Sequence, residues 1–315
     1  MTKSSPSDEK PDIVAESAGT PNDEAPEARR LPKTLKEAII RATQYLHSHN
    51  SPSPRLDAEI LIAHVMGYRR LDLYLNHDRP LTKQEYTAIT APILRRGAGV
   101  PVAYITGIKE FYSLNFIVNE SVLIPRPETE FLVSESLMDI RMKNLSDPSI
   151  LEIGAGSGAV AISLATSLDV GTIIATDISE DALQVMGLNC KRHDVFKRIT
   201  LKPGDLYEPI AGQTFDLIVS NPPYLTDTEM ELLPPEVQNE PRGALAGGPS
   251  GLDVIAPLVT GAPEHLRENG CLIFEIGATQ EDAVIRLFDE VEHMKVSYVK
   301  RDYAGLPRVV VARQI

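Results

Sequence analysis

The sequence contains no tryptophan, and it has only two cysteines and seven histidines. Cys190 and Cys271 lie in apolar segments without metal-ligand spacing, so both are expected to be buried, reduced thiols. The histidines form no His-x-x-x-His pair or comparable cluster. The sequence therefore indicates no metal site.

Long apolar runs are also absent. No run reaches the roughly 18 residues of a membrane-spanning helix, so no membrane association is expected. Residues 1–33 lack the apolar core of a secretory signal and are rich in Pro, Ser, Glu and Asp. They are predicted to be a disordered acidic tail, and the protein is predicted to be cytoplasmic.

Positive net charge is lacking as well. The formal net charge is -13, and bulk binding to nucleic acid depends on neutralising phosphates with Lys and Arg. Direct binding to nucleic acid is therefore not expected, although a local basic patch stays compatible with the composition. What the chain does have is 315 residues with 43% hydrophobic content, enough for a sizeable core and for more than one domain.

Residues 34–100 carry the signals of three helices. Thr34 and Thr82 each begin a capping box, with a glutamate three residues later. Ser53-Pro54 has the cap and first-turn proline of another helix, for which Gly67 is the predicted end. Because the region has no catalytic constellation, we interpret it as a helical domain that docks a macromolecular substrate. A packing cap for the larger domain is the alternative.

Residues 101–126 are predicted to form a β-hairpin connector. Apolar stretches from Phe111 to Val118 and from Val122 to Ile124 are separated by Asn119-Glu120-Ser121, which is the predicted turn. A proline-stiffened loop follows, and it leads into a helix expected from about Glu128 to Met142.

Residues 127–315 are predicted to form an α/β domain. Strands alternating with helices favour an open, mostly parallel sheet, whose ligands bind beyond the carboxyl ends of the strands. The predicted strands are Ser149–Ile153, Gly171–Thr176, Ile199–Leu201, Phe215–Ser220, Cys271–Ile276, Lys295–Val299 and Arg308–Ala312.

A glycine-rich loop, residues 154–158, follows the first of these strands. Glycines let the backbone approach a ligand closely, and the start of the next helix offers free N–H groups. The loop alone is a weak signal, because several nucleotide-binding folds use similar turns. The second strand ends in Asp177, where a carboxylate can accept both ribose hydroxyls; capping the helix after Ser179 is its alternative role. Asp205, after the third strand, is placed to meet an adenine amino group.

The fourth strand ends in Asn221-Pro222-Pro223-Tyr224. Prolines cannot continue a strand ladder and restrict the preceding residue, so the chain leaves the sheet at Asn221 with a predictable shape. The Asn221 side-chain oxygen and the Pro222 carbonyl can then both accept hydrogen bonds from one planar NH2 group. The tetrapeptide indicates a site for an exocyclic base amine or a carboxamide, with an ordinary strand-ending turn as the alternative.

From about residue 34 onward the chain resembles the release factor glutamine methyltransferases, also called the HemK or PrmC family. Asn-Pro-Pro-Tyr also occurs in adenine-N6 and cytosine-N4 DNA methyltransferases. The segment Leu123–Glu130, with the sequence LIPRPETE, and the helical N-terminal region are more specific to this family. The motifs that carry the resemblance are Val102–Gly107, Glu110–Tyr112, Leu123–Glu130, Glu152–Gly158, Asn221–Tyr224 and Glu240–Gly248.

The resemblance implies a Rossmann-like class I methyltransferase fold, with a seven-stranded sheet and a small helical N-terminal domain. It implies S-adenosylmethionine as the methyl donor. The implied acceptor is the side-chain amide of the glutamine in the Gly-Gly-Gln motif of class I peptide chain release factors. Arg126, in the LIPRPETE segment, either reaches the site or lies at the surface.

The resemblance also implies roles for single residues. The glycine loop would hold the methionine part of the cofactor and Asp177 its ribose, while Asn221 and Pro222 would be catalytic residues that orient the glutamine amide. Leu206 departs from the family, in which an aromatic residue often stacks on the adenine. Either cofactor affinity is lower, or Ile178 supplies more of the packing. The implied cofactor-binding residues are Gly154, Ala155, Gly156, Ser157, Gly158, Asp177, Asp205, Leu206 and Asn221, and the implied substrate-binding residues are Asn221, Pro222, Pro223 and Tyr224.

Three rival functions are compatible with parts of the sequence. The first is an amino methyltransferase that acts on a flipped base of DNA or RNA; the charge of -13 and the lack of a basic target-recognition domain count against it. The second is an NAD-dependent oxidoreductase that uses the glycine loop, in which Asn221–Tyr224 would have no role. The third is a non-catalytic binding protein, which would leave the loop, the acid and the tetrapeptide together unexplained.

Overall fold

The computed structural model describes residues 31–169 and 171–315. All but the last three residues of the predicted acidic tail, 1–33, therefore lie outside the described residues. The N-terminal region is helical, as predicted. Its helices are α1 (Leu35–Ser48), α2 (Pro54–Met66), α3 (Arg70–Leu75) and α4 (Lys83–Gly97).

The predicted capping signals position these helices. Thr82 and Glu85 form the complete capping box, because each side chain accepts the backbone N–H of the other residue, at 3.2 and 2.9 Å. At α1 only half of the box forms: Thr34 Oγ1 accepts the Glu37 N–H at 3.3 Å, whereas the Glu37 carboxylate takes the N–H of Lys33 instead. Gly67 ends α2 with a left-handed φ of 66°.

The connector contains a helix and a hairpin. Its elements are α5 (Val102–Thr106), β1 (Ile108–Phe111) and β2 (Leu114–Ile117), and the two strands pair antiparallel. The prediction of a turn at 119–121 was wrong. The turn consists of Tyr112 and Ser113, with φ of 50° and 62°. Such two-residue turns usually carry Gly or Asn, so this pair gives no sequence signal.

The large domain is built on a seven-stranded sheet with the strand order β5-β4-β3-β6-β7-β9-β8, in which β3 to β7 run parallel and β9 pairs antiparallel. The predicted fold class is confirmed. The strands are β3 (Ser149–Ile153), β4 (Thr172–Asp177), β5 (Ile199–Pro203), β6 (Phe215–Ser220), β7 (Leu266–Glu275), β8 (Met294–Arg301) and β9 (Pro307–Gln314). The helices are α6 (Glu130–Met142), α7 (Ala159–Ser167), α8 (Glu180–Arg192), α9 (Asp227–Glu231), α10 (Pro235–Gln238), α11 (Ile255–His265) and α12 (Glu281–Phe288).

Apolar side chains cover both faces of the sheet. Along β3, Ile150 faces the core shared with α6 to α8, whereas Leu151 faces the core shared with α11 and α12. Strands that are buried on both faces need continuous rather than alternating apolar residues, which explains the runs in the sequence. Cys190 and Cys271 are free and buried in these cores, as predicted.

The chain order in the sheet reverses between β3 and β6. In open α/β sheets, ligands bind at such a switch point, in the crevice beyond the carboxyl ends of the strands. The glycine loop follows β3, and Asn221 follows β6. The topology thus brings the two strongest sequence motifs to one crevice.

A buried arginine joins the helical region to the segment after the tetrapeptide. Arg96, with a side chain 4% exposed, pairs with Asp57 at 2.7 Å and with Glu236 at 2.6 Å. Nearby, Asn239 Nδ2 donates to the Gly99 carbonyl at 3.2 Å. Helix α10 therefore packs against the helical region through charged and polar contacts.

Candidate active site

The three glycines of the loop after β3 have different roles. Gly154, Gly156 and Gly158 all have a left-handed φ, of 72°, 55° and 79°. A Cβ on Gly158 would lie 2.6 Å from Met186 Cγ, so this glycine allows α7 and α8 to pack closely. A Cβ on Gly156 would meet nothing within 4 Å, so the backbone there faces open space.

Buried side chains and hydrogen bonds to the protein interior fix the conformation of the loop. Ala155 and Ser157 are 5% and 4% exposed, so their side chains point into the protein and the loop presents its backbone to the crevice. The N–H groups of Gly154 and Ala155 donate to the Thr176 carbonyl at 2.9 and 3.0 Å. Buried Asn189 donates to the Ser157 carbonyl at 2.9 Å. The loop is therefore preformed.

Glu152 anchors the helix that the loop leads into. Its carboxylate is buried and accepts the Ala161 N–H in the first turn of α7, at 2.9 Å. Burial raises the pKa of Glu152 to about 8. This bond joins the end of β3 to the start of α7.

Asp177 connects the end of β4 to the glycine loop. Its Oδ2 accepts the Gly156 N–H at 2.8 Å, and its Oδ1 accepts the Ser179 N–H at 2.9 Å. Burial raises the pKa of the Asp177 carboxyl, against the effect of these two donors. The cap of α8 is Ser179, whose Oγ accepts the Ala182 N–H, so Asp177 is not itself the helix cap. An ionised carboxylate has about four acceptor sites, and two remain for a ligand.

The turn after β5 places Asp205 and Leu206. Asp205 is exposed, and its carbonyl accepts the Glu208 N–H at 3.0 Å. Leu206 is half-buried and has a φ of 43°, which is uncommon for a bulky side chain. It packs against the core that contains Leu151 and Ile153, so its position is fixed by the fold. Ile178, directly after Asp177, is 74% exposed.

Asn221 and Pro222 present two unused acceptors at the end of β6. Asn221 Nδ2 donates to Thr129 Oγ1 at 3.1 Å. Among the described residues, neither Asn221 Oδ1 nor the Pro222 carbonyl accepts a hydrogen bond. A Cβ on Gly154 would lie 4.0 Å from the Asn221 carbonyl oxygen, so the tetrapeptide and the glycine loop are neighbours.

Tyr224 is held on both sides. Its hydroxyl donates to Glu275 Oε1 at 3.1 Å, and its carbonyl accepts from Gln280 Nε2 at 3.0 Å. A Cβ on Gly247 would lie 2.8 Å from Tyr224 Cα, and a Cβ on Gly251 would lie 2.4 Å from its carbonyl oxygen. Both glycines are therefore required for the backbone of the tetrapeptide to keep its position.

Sequence reasoning missed Glu275 and the role of Thr129. Thr129 Oγ1 donates to Glu275 Oε2 at 2.7 Å, and Glu275 is 1% exposed at the end of β7. Burial raises the pKa of Glu275 to about 7, although the hydroxyls of Thr129 and Tyr224 and the charge of Arg308 oppose this. The available signal was a single acidic residue inside the apolar run Cys271–Ile276.

Arg126 is held between the surface and the tetrapeptide: its side chain is 32% exposed, and its charge acts on the Tyr224 hydroxyl. It is half-buried, and its Nη2 pairs with Glu240 Oε1 at 2.5 Å. The other Glu240 oxygen accepts the Ile124 N–H at 3.0 Å. Glu240, which is 5% exposed, therefore fastens the LIPRPETE segment to the chain that follows the tetrapeptide.

Within residues 31–169 and 171–315, no group of three or more His, Cys, Asp or Glu side chains could hold a metal ion. None of the helices in the same ranges has the length and apolar character needed to cross a membrane.

Comparisons with known proteins cover most of the chain. Residues 37–107 match the PrmC N-terminal domain, and residues 129–234 match the methyltransferase small domain. A release factor glutamine methyltransferase from Rhodopirellula baltica is 38% identical over 283 residues, which are 89% of this chain and 96% of the relative. One from Chlorobaculum tepidum is 43% identical over 233 residues, which are 71% and 79% of the two chains.

Among solved structures, the catalytic domain of hMettl16, in complex with MAT2A 3′UTR hairpin 6, aligns with a TM-score of 0.50 at 13% identity, over 71% of this chain and 81% of that chain. At this identity the likeness concerns the fold alone.

Proposed function

The chain belongs to the release factor glutamine methyltransferase family, a family of methyltransferases, and we propose that it methylates the side-chain amide nitrogen, N5, of the glutamine in the Gly-Gly-Gln motif of class I peptide chain release factors. The methyl donor in this proposal is S-adenosylmethionine. The observation that carries the proposal is the pair of unpartnered acceptors, Asn221 Oδ1 and the Pro222 carbonyl, beside the glycine loop. A carboxamide NH2 carries two hydrogens in one plane, which matches two acceptors. Release factors act in the cytoplasm, which is where we place this activity.

The proposed mechanism relies on positioning. The nitrogen of a carboxamide is a poor nucleophile, because its lone pair is delocalised into the carbonyl. S-adenosylmethionine supplies a methyl group on a sulfonium, which departs as a neutral thioether when the nitrogen takes the methyl. Asn221 Oδ1 and the Pro222 carbonyl accept hydrogen bonds from the two amide hydrogens. These bonds orient the nitrogen and favour the positive charge that it gains. The proton can leave afterwards, so no side chain needs to be a strong base.

The crevice has the features that the cofactor requires. The open backbone at Gly154 and Gly156 would receive the methionine part, and Asp177 would accept the ribose hydroxyls with its remaining lone pairs. Asp205 and Leu206 would border the adenine. Because Leu206 offers no aromatic ring, exposed Ile178 would supply the apolar contact on the other side of the base.

Replacing Asp177 with alanine is expected to weaken S-adenosylmethionine binding by about 1–3 kcal/mol, since the ribose loses a charged acceptor. The Gly156 N–H also loses its partner, so the loop itself loosens. Isothermal titration calorimetry checks the result. Asp181→Ala is the matched control, because Asp181 is an exposed acid four residues away and should leave affinity unchanged. Binding of NAD without binding of S-adenosylmethionine would reject the cofactor assignment.

We also propose that the helical region, residues 34–100, docks the protein substrate. A groove of about 1020 Å³ runs between α1 and α4, and the side chains along it include Tyr45, Tyr86 and the exposed Ile40 and Leu94. The Arg96–Glu236 pair places this region against the chain that leaves the tetrapeptide. In this proposal the release factor binds in the groove while its glutamine enters the crevice.

If the groove docks the substrate, substitutions in it should change only the kinetics that are measured with the protein substrate. The double variant Ile40→Glu and Leu94→Glu should lower kcat/KM for an intact release factor by about tenfold, mainly through KM, because remote contacts supply binding energy. Cofactor affinity should not change. Leu188→Glu is the control, since Leu188 is equally exposed on α8 and lies outside the groove. Equal kinetics for the groove variant and the control would make the helical region a packing cap.

The rival acceptor is an exocyclic base amine. Purified protein with labelled S-adenosylmethionine should transfer methyl groups to a release factor and not to duplex DNA or RNA. Transfer to nucleic acid alone would replace the glutamine proposal with the base amine, while leaving the donor and the crevice as assigned.

A further inference from the structure

Four polar groups form one hydrogen-bonded chain behind the tetrapeptide. Asn221 Nδ2 donates to Thr129 Oγ1 at 3.1 Å, and Thr129 Oγ1 donates to Glu275 Oε2 at 2.7 Å. The Tyr224 hydroxyl donates to the other oxygen of Glu275 at 3.1 Å. Thr129 and Glu275 are 4% and 1% exposed, so these bonds are made away from bulk water, where an unpaired partner is costly.

The direction of these bonds is determined by the chemistry of the groups. A hydroxyl has one proton, and an ionised carboxylate only accepts. Ionised Glu275 lies between two hydroxyls and therefore accepts a hydrogen bond from each. Because the single proton of the Thr129 hydroxyl points to Glu275, the Thr129 oxygen can only accept from Asn221. The end of the Asn221 amide that meets Thr129 must then be its NH2 group.

We propose that Thr129 and Glu275 are positioning residues that lock the orientation of the Asn221 amide, so that its oxygen faces the acceptor glutamine. The proposal rests on the proposed function and assigns to it two residues outside the tetrapeptide. Thr129 lies 92 residues before Asn221, and Glu275 lies 146 residues after Thr129, so the lock joins the start of α6 to the ends of β6 and β7.

The orientation of the Asn221 amide decides whether Asn221 accepts a hydrogen bond from the substrate amide or offers it a second donor. An inverted Asn221 would present an NH2 group to the NH2 group of the glutamine, and two donors cannot share a hydrogen bond. The Pro222 carbonyl alone would then hold the substrate amide, which leaves the nitrogen free to rotate away from the methyl group. An Asn221 oxygen that faces away from the glutamine is therefore equivalent to a missing acceptor.

The charges around Glu275 fit this role. Arg308 lies on the neighbouring strand β9 and favours the ionised form, whereas burial and the nearby Glu128 disfavour it. Because the pKa of Glu275 is raised to about 7, the lock is complete only above neutral pH. Protonated Glu275 could donate to Thr129, which would free the Thr129 proton to meet an inverted Asn221.

The test is a double-mutant cycle on turnover at about pH 8.5, where Glu275 is ionised. Thr129→Val removes the hydroxyl at nearly constant volume and should lower kcat by about tenfold at saturating cofactor. In the Asn221→Ala background the same substitution should have no further effect, because there is no amide to orient. Thr129→Ser keeps the hydroxyl and should restore kcat to within about threefold of the wild type.

One control and one further variant separate this role from a structural one. Thr43→Val removes a half-buried hydroxyl that bonds to its own helix, at Ile39 O, and should leave kcat unchanged. If Thr129→Val does not fold, Glu275→Gln tests the lock from its other end: its amide puts a donor beside one of the two hydroxyls, and kcat should fall by a similar factor. An equal loss of kcat from Thr129→Val in both backgrounds, or no rescue by serine, would overturn the proposal.

A second readout does not depend on the substrate. The Asn221 side-chain NH2 signals, identified by their absence in Asn221→Ala, should exchange with solvent about tenfold faster in Thr129→Val than in the wild type or Thr129→Ser. If the wild-type protein leaves release factors unmethylated, the proposed function fails while the exchange measurement still tests the lock. Unchanged exchange in Thr129→Val would overturn the lock by itself.

Discussion

Asn221→Ala is expected to lower kcat by about 10²–10³, equivalent to about 3–4 kcal/mol of transition-state stabilisation. The substitution removes the acceptor Oδ1, which has no partner among the described residues, from a residue whose backbone lies beside the glycine loop. The fold should persist, because the Asn221 side chain makes one bond, to Thr129, and is only half-buried. Some cofactor affinity is lost if the Asn221 backbone shifts beside Gly154.

The quantity to compare is therefore kcat at saturating cofactor, together with a thermal melt and a binding isotherm. Asn115→Ala provides the control, since Asn115 is exposed on β2 and its side chain makes no hydrogen bond within the described part of the chain. A fall in kcat of less than about tenfold would mean that Asn221 does not orient the acceptor amide. The reacting groups would then have to lie elsewhere along the carboxyl edge of the sheet.

Arg96→Met is expected to destabilise the protein by about 3–5 kcal/mol, because it leaves a buried carboxylate without its partner. Arg96 and Asp57 have side chains only 4% and 9% exposed, and Arg96 also reaches Glu236 on α10. Asp57 would keep a single strong contact, with the Ser51 hydroxyl at 2.7 Å. Both the core of the helical region and its attachment to α10 are therefore weakened.

Urea denaturation of Arg96→Met, of Asp57→Asn and of the double variant measures the change in the free energy of unfolding. Adding Asp57→Asn should recover much of the loss, since the orphaned charge is removed. Arg95→Met is the control on the next residue: its pair with Glu120 spans 3.9 Å between two exposed side chains and should contribute less than about 1 kcal/mol. If Arg95→Met and Arg96→Met lowered the free energy of unfolding equally, the buried pair would not stabilise the contact between the helical region and α10.

The parts of the site that are contiguous in sequence were predictable. The glycine loop and the tetrapeptide each follow a strand directly, Asp177 is the last residue of β4, and parallel strands end at one edge of the sheet. Thr129 and Glu275, which bond to the tetrapeptide, and Glu240, which bonds to Ile124 and Arg126, were not predictable as site residues, because these contacts arise only through tertiary packing. Short local patterns contain no information on bonds that span 92 to 146 residues.

The fold was predictable to a similar degree. The start of α4 follows from the Thr82 capping box, the start of α2 from its first-turn proline Pro54, and the strand Ser149–Ile153 from its apolar run. The hairpin turn was misplaced because Tyr112 and Ser113 adopt left-handed φ without the usual residues. Helix α3 was missed because six residues, of which Leu71 and Leu75 are exposed, give no helical apolar face.

The central claim is that the crevice between β3 and β6 delivers a methyl group to a glutamine side chain. Mass spectrometry of a class I release factor, incubated with this protein and isotopically labelled S-adenosylmethionine, tests it most directly. The predicted result is a single labelled methyl group on the glutamine of the Gly-Gly-Gln motif, absent with Asn221→Ala. No label on the release factor, or label on any other residue, would contradict the claim.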